Sequence, residues 1–181
     1  MERLFLDCEF TALKQDTSLI ALALYKDDQC HFYAEFNDYE VQTGNSWVED
    51  NVLSKLSFKN AHEVFISEKQ IIEMKSSKSL IVGHLKKWLN EFREVEIWGD
   101  VPVYDWMLFC ELFGGSLNLP ENVFYSPFDL ATLAKIKGME PDFSRYEFAA
   151  KFLSESEQTM QHNALIDAKV ECLCYRNLIC K

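Results

Sequence analysis

The sequence is poor in the features that mark several large classes of protein. It has no run of 18 apolar residues, so no segment matches a membrane-spanning helix in length and apolarity. A strand pattern begins within three residues of Met1 with no basic-plus-apolar leader ahead of it, which sets the expectation of a soluble, cytoplasmic protein without a membrane partner. Only 18 basic residues stand against 29 acidic ones, leaving a net charge of −11. That excludes broad electrostatic binding to a polyanion, whose affinity ordinarily rests on Lys and Arg neutralising phosphates. Any phosphate-bearing partner must be held locally. With six glycines, four prolines and no repeat or low-complexity tract, no linker is visible, and one domain over residues 1–181 is expected. The six cysteines (Cys8, Cys30, Cys110, Cys172, Cys174 and Cys180) lack C-x₂-C spacing and several lie in apolar patterns, so reduced, mostly buried thiols are expected.

What is present is a globular composition, 48% hydrophobic and 14% aromatic, enough for a sizeable core. The segments "RLFLDCEF", "SLIALALY" and "CHFYAEF" are separated by the turn-like "KQDT" and "KDDQ" and read as an antiparallel meander of three strands. Residues 37–66 have no clean period, although "SWVEDNVLSKLS" suits a short helix or ordered loop. "SEKQ" at 67–70 has the form of a capping box ahead of a helix that carries Ile81, Leu85, Trp88, Leu89 and Phe92 on one stripe. A short strand "VEIW" (95–98) follows, then an apolar helix begun near Pro102 and stopped at Gly114–Gly115. "NVFYS" (122–126) is read as a fifth strand. "DLATLAKIKG" is read as a helix capped by Asp129 and stopped by Gly138, "SRYE" (144–147) as a second capping box, and the last helix is capped by Asn163. The order implies an α/β fold, a mixed sheet flanked by helices.

Acidic residues sit in unexpected places within this pattern. Asp7 and Glu9 lie two apart on an otherwise apolar strand, so they share a face and repel each other near low-dielectric surroundings. Asp105 follows the strand "VEIW" in the first turn of the next helix, where α/β sheets commonly present site residues. Asp167 lies one turn into the last helix. On a continuous helix His162 and Asp167 would be about 140° apart, but a cap at Asn163 leaves His162 in the preceding loop, free to face the same opening. Taken singly, Asp105 and Asp167 also suit helix first turns, where the macrodipole favours acids. Four converging carboxylates need divalent cations, and hard oxygen ligands favour Mg²⁺ or Mn²⁺.

"DCE" (7–9), "VYD" (103–105) and "HNALIDA" (162–168) resemble, in order and spacing, the three motifs of the DEDDh family of 3′–5′ exonucleases, which have a ribonuclease H-like fold. The resemblance spans nearly the whole chain. "HNALIDA" is its most specific part, "SPFDLATLA" is similar to a segment of ribonuclease T and its relatives, and "DCEF" with "YDWMLFCELFG" is closer to small stand-alone bacterial exoribonuclease-like proteins. It implies a ribonuclease H-like sheet, three antiparallel strands and then parallel ones, and a pair of Mg²⁺ or Mn²⁺ ions. By resemblance Asp7 bridges both ions, Glu9 and Asp167 hold the ion that carries the nucleophile, Asp105 supports the second, and His162 accepts the proton of the attacking water. The substrate implied is the 3′ end of single-stranded nucleic acid, RNA before DNA, and homodimers occur among relatives.

One departure is Asp100, where many family members carry Asn; an N-terminal or turn cap is the expectation. Phe10 is expected to pack in the core, on the strand face opposite Asp7 and Glu9, and His84 is expected to be a packed core histidine. Trp47 and Phe128 are candidates for stacking on a base, whereas His31 and His62 carry no signal. The basic residues between Lys69 and Arg93 are read as a solvated helix face rather than a phosphate track. Two other functions compete: a non-catalytic binding module that kept the fold, and an endonuclease or integrase-like transferase of the same superfamily. An intact set of five argues against the first. The H-x₄-D pairing argues against the second.

Overall fold

Three strands form the meander that the alternating apolar segments imply: β1 (Glu2–Phe10), β2 (Leu19–Asp27) and β3 (Cys30–Phe36), paired antiparallel in that order. The computed structural model describes residues 1–39 and 46–180. Among these residues the sheet has seven strands in the order β4-β5-β3-β2-β1-β6-β7, with β6 (Val95–Gly99) parallel to β1 and β7 (Phe128–Asp129) parallel to β6. On the other side, β5 (Gln70–Ser76) runs parallel to β3, and β4 (Val64–Glu68) closes the edge antiparallel to β5. Helices flank the sheet: α1 (Ser46–Asn51), α2 (Lys78–Leu89), α3 (Val103–Leu112), α4 (Leu130–Ile136), α5 (Arg145–Ala149) and α6 (Ala164–Ile179). This mixed α/β architecture is consistent with a ribonuclease H-like fold. Among the described residues no helix is long and apolar enough to cross a membrane.

The two faces of β1 have different fates. Leu4, Leu6 and Cys8 pack with Leu22, Leu24 and Phe32, against the stripe of α2 (Ile81, Leu85, Trp88, Leu89) and against Phe109 and Leu112 of α3. Phe5 faces the other way, with Ala21, Ala23, Tyr25 and Tyr33, under α4 and α6. Asp7 and Glu9 share Phe5's face by alternation. Their Cα partners on β2 are Ala23 and Ala21, and α6 meets that face with Ala164 and Ala168. Alanine against alanine lets the helix lie close to the sheet, which draws the start of α6 toward the two acids.

Several elements differ from expectation. "SEKQ" does not cap a helix; it is the turn of a hairpin whose strands are joined by Lys69 alone, at φ +55°. Long-range pairing of "QIIEMKS" with β3 outweighs the local capping pattern. Helix α2 begins instead at Lys78, whose N–H is satisfied by Asp38 Oδ2 at 2.9 Å. "NVFYS" is not a strand: Val123 makes a single bridge to Val95, and the chain rejoins the sheet only at Phe128–Asp129. The caps at Asp129, Ser144 and Asn163 form as expected. All six cysteines are free and five are buried, Cys180 being exposed. His84 is not in the core; it lies half-buried against exposed Phe65, ring centroids 4.7 Å apart. Phe128 stacks on Trp98 at 5.0 Å and on Phe124 at 5.6 Å.

Candidate active site

The carboxyl ends of β1 and β6 open onto a cavity of about 700 Å³. Asp7, Glu9, Asp105, His162 and Asp167 all line it. Pairing between β1 and β6 stops at Phe5 and Trp98, after which β6 turns away at Gly99. The edge of β1 thereby freed exposes the Cys8 N–H, which donates to Asp105 Oδ1 at 3.0 Å. Gly99 is required here, because a Cβ would lie 2.7 Å from Pro102 Cβ and 3.2 Å from the Leu6 carbonyl oxygen. The close turn brings Pro102, and then the first turn of α3, against β1.

The start of α6 is built with similar economy. Asn163 caps it by accepting from the Ile166 N–H, while its own amide donates to the Lys55 carbonyl at 2.9 Å. His162 precedes the cap at φ +69°, a conformation that turns the loop back on the helix. Its main-chain N–H donates to Asp167 Oδ2 at 2.8 Å, and the Tyr146 hydroxyl donates to Asp167 Oδ1. The His162 ring meets the edge of Trp47 at 5.1 Å. Ligand atoms of Glu9, His162 and Asp167 all lie within 4.8 Å of one another.

Electrostatics at the site are dominated by burial without compensation. Burial pushes Asp7 well above the usual carboxylate range, reinforced by Asp167 and Glu9. Burial raises Glu9 to about 8, with Asp167 and Asp105 adding to it. Asp105 and Asp167 rise to about 6, burial being opposed by the hydrogen bonds each accepts. His162 is lowered, first by burial and then by the charge of Lys55. Six acids line the cavity, and Arg145 is the one Lys or Arg among the described residues lining it. Asp7 Oδ2 is buried without a hydrogen-bond partner among the described residues. An orphaned carboxylate oxygen amid a set of hard oxygen donors fits divalent cations. Asp7, Glu9, Asp105 and Asp167 could hold them.

A profile of the 3′-5′ exoribonuclease Rv2179c-like domain family matches residues 2–179. The chain belongs to this family. Two relatives from Mycobacterium tuberculosis, the 3′-5′ exoribonuclease Rv2179c of strain H37Rv and the 3′-5′ exoribonuclease MT2234.1 of strain CDC 1551, are each 28% identical over 127 residues, 67% of this chain and 67% of theirs. Membership in the Rv2179c-like family indicates a 3′-5′ exoribonuclease.

This member of the Rv2179c-like family also recruits residues whose roles here were not expected from sequence. Asp100 is not a turn cap; its Oδ1 accepts from Arg145 Nη2 at 2.6 Å, and the cap on Val101 N is Asp129. Glu171 is buried, with Oε1 accepting from the Asp100 N–H at 2.9 Å; burial, then Asp105, pushes its carboxyl well up. Its position four residues after Asp167, on the same helix face, is the signal that could have found it. Tyr146 was legible only as part of a capping box. Of the two aromatic candidates, Trp47 lines the cavity and Phe128 does not. Phe10 keeps contact with the core but also lines the cavity, because the ladder shifts between Glu9 and Phe10 and its ring stacks on Tyr104 at 5.7 Å. None of the basic residues from Lys69 to Arg93 lines the cavity.

Proposed function

We propose that this chain is a metal-dependent 3′–5′ exonuclease of the DEDDh type that removes nucleotides from the 3′ ends of single-stranded nucleic acid, RNA before DNA. The observation that carries the reading is the convergence of Asp7, Glu9, Asp105, Asp167 and His162, from three separate parts of the chain, on one cavity. The preference for RNA rests on the family and on the names of the two mycobacterial relatives.

Asp7, Glu9, Asp105 and Asp167 would hold two Mg²⁺ or Mn²⁺ ions. When bound, such a pair stabilises the charge that develops on the attacking and leaving oxygens of an in-line phosphodiester displacement. The chain's own residues do the rest. A ring nitrogen of His162, kept neutral by burial, takes the proton of the attacking water. The Asp105 and Asp167 carboxylates are oriented by the Cys8 and His162 main-chain N–H groups. Phe10, Leu13 and Trp47 line the cavity beside the acids and would give a terminal nucleoside an apolar surface to lie against. The homodimer expected from the resemblance draws no support from this structure of one chain.

The test uses 5′-labelled single strands of RNA and DNA, linear and circular, with Mn²⁺, Mg²⁺ or chelator. A ladder shrinking by one nucleotide at a time, dependent on metal and absent from circles, is expected. Cleaved circles would favour the endonuclease reading, and retention of strands without cleavage would favour the binding module.

A further inference from the structure

Helix α5 has five residues, too short to hold its own place, yet its second residue supplies the hydroxyl bound to Asp167. What fixes α5 is a closed circuit of contacts that begins and ends on α6. Glu171 Oε1 accepts from the main-chain N–H of Asp100, in the turn after β6, at 2.9 Å. The Asp100 side chain in turn accepts from Arg145 Nη2 at 2.6 Å, an ion pair with both partners largely removed from solvent. The guanidinium lies over the Phe143 ring, its Cζ 3.9 Å from the centroid, and also donates to the Phe143 carbonyl, so it is held by two further contacts. The Arg145 carbonyl accepts from Cys174 Sγ on α6 at 3.5 Å. The next residue, Tyr146, packs against Ala149, Leu153, Val170 and Cys174 and donates to Asp167 Oδ1. Asp167 and Glu171 are one helical turn apart, and the circuit closes.

We propose that Tyr146 is a positioning residue for the Asp167 carboxylate, aimed by the Asp100–Arg145 pair. The proposal rests on the reading of Asp167 as a metal ligand. With Tyr146 on Oδ1 and the His162 N–H on Oδ2, each oxygen of Asp167 carries one donor and keeps a lone pair free, and the plane of the carboxylate is fixed before any ion arrives. An unheld Asp167 would rotate about its last torsion and present its lone pairs in many directions. Asp100 also acquires a purpose that a turn cap would not give it: it orients a ligand on another element without touching it.

The experiment is calorimetric titration of the full chain with Mn²⁺, alongside steady-state hydrolysis of a labelled trinucleotide. Tyr146→Phe removes one oxygen and leaves the ring packed. It is expected to weaken Mn²⁺ binding by about 10–100-fold, the usual effect of losing an outer partner of a metal ligand. The value of kcat falls with it, KM for the trinucleotide stays at the wild-type value, and the metal-free melting temperature is unchanged. Asp100→Asn is expected to weaken Mn²⁺ binding in the same direction, and combining it with Tyr146→Phe to add little, because both act through one hydroxyl. Wild-type Mn²⁺ affinity and kcat in Tyr146→Phe would overturn the proposal, and fully additive losses in the double variant would overturn the role of the Asp100–Arg145 pair. Failure of the wild type to bind Mn²⁺ at all would bring down the metal-ligand reading itself, an outcome distinct from either.

Discussion

The Cys8 main-chain N–H and the Asp105 carboxylate, 97 residues apart in sequence, are joined by a hydrogen bond of 3.0 Å. It sets the first turn of α3 against the one stretch of β1 where alternation already puts Asp7 and Glu9 on a common face. The same closeness that assembles a cation site makes the metal-free protein store repulsion.

Asp7 sits at the centre of that repulsion, with an orphaned oxygen. Asp7→Asn is therefore expected to lose exonuclease activity while the metal-free protein melts no lower than wild type. Adding Mn²⁺ at about 100 times its dissociation constant should stabilise the wild type by about 2.7 kcal/mol and the variant hardly at all. Degradation of single strands at near wild-type rate by the variant would remove Asp7 from the metal set.

Metal-free stability should fall as pH rises across the neutral range. The folded protein raises the carboxyl pKa values of Asp105 and Asp167 from 3.8 to about 6 and that of Glu9 from 4.5 to about 8, and it pushes Asp7 and Glu171 up as well. Between about pH 4 and pH 8 the folded state thus binds more protons than the unfolded chain, so the slope of stability with pH is negative there. His162, lowered by burial, acts in the opposite sense below its ordinary value, as do the lowered carboxyls of Glu2, Asp28, Asp129 and Glu157 near the acid end of this range. Melting curves in chelator should give a higher transition at pH 5 than at pH 8, with Mn²⁺ removing the difference. A transition that climbs steadily from pH 5 to 8 without metal would contradict this.

His162→Ala should slow hydrolysis by roughly 10²–10⁴, the usual range for a lost general base, without matching the Mn²⁺ affinity loss of Asp7→Asn. Its ring lies close enough to Glu9 and Asp167 to be a ligand, and calorimetry separates the two roles. Because burial lowers its pKa, the acid limb of the wild-type rate profile should lie below the ordinary histidine range. An acid limb that persists unchanged in His162→Ala at fixed metal would remove the base role.

An acidic chain with Arg145 as the one Lys or Arg among the described residues lining its cavity can engage few phosphates. The affinity for single strands should therefore depend weakly on salt, with a log-log slope of about −1 to −3. A 3′-phosphate should block hydrolysis, since the extra charge would sit beside Asp7 and Glu9. Equal digestion of 3′-phosphorylated and 3′-hydroxyl strands would overturn the end-dependent reading.

A buried ion pair lies away from the chemistry, between β3 and β5. Glu35 on β3 is fully buried, accepts from the Tyr33 hydroxyl and the Phe58 N–H, and lies in register with Lys75 on β5, whose Nζ is 3.8 Å from it and donates to the Phe58 carbonyl. Lys75→Ala leaves that carboxylate unpaired and should destabilise the protein by about 3–5 kcal/mol in urea titrations. A loss below about 1 kcal/mol would show the pair to be worth no more than a surface ion pair.

The parts of the fold that could be read from sequence were those whose signal is local. The meander announced itself through alternation and turn residues, and the caps at Asp129 and Asn163 through a side chain that bonds its own helix. The hairpin of β4 and β5 was hidden because "SEKQ" satisfies a helix-start pattern, while the pairing that overrides it comes from β3, 40 residues away in register. At the site, Asp7, Glu9, Asp105, His162 and Asp167 stood out through residue type and spacing. Arg145 and Tyr146 did not, and Asp100 stood out only as a departure from the family's Asn, because the contacts that give them meaning span 45 and 21 residues and leave no periodic trace.

Gly99 contributes no charge, donor or apolar surface to the cavity, yet the distance between two of its walls is gauged there. A methyl group at this position would collide with Pro102 and with the backbone of Leu6, and the relief available is for the start of α3 to slide outward, carrying Asp105 off the Cys8 N–H. The spacing between acids drawn from distant parts of the sequence is thus calibrated by a hydrogen atom, and a tolerance map of this protein would show an intolerant position where its chemistry gives no hint of one.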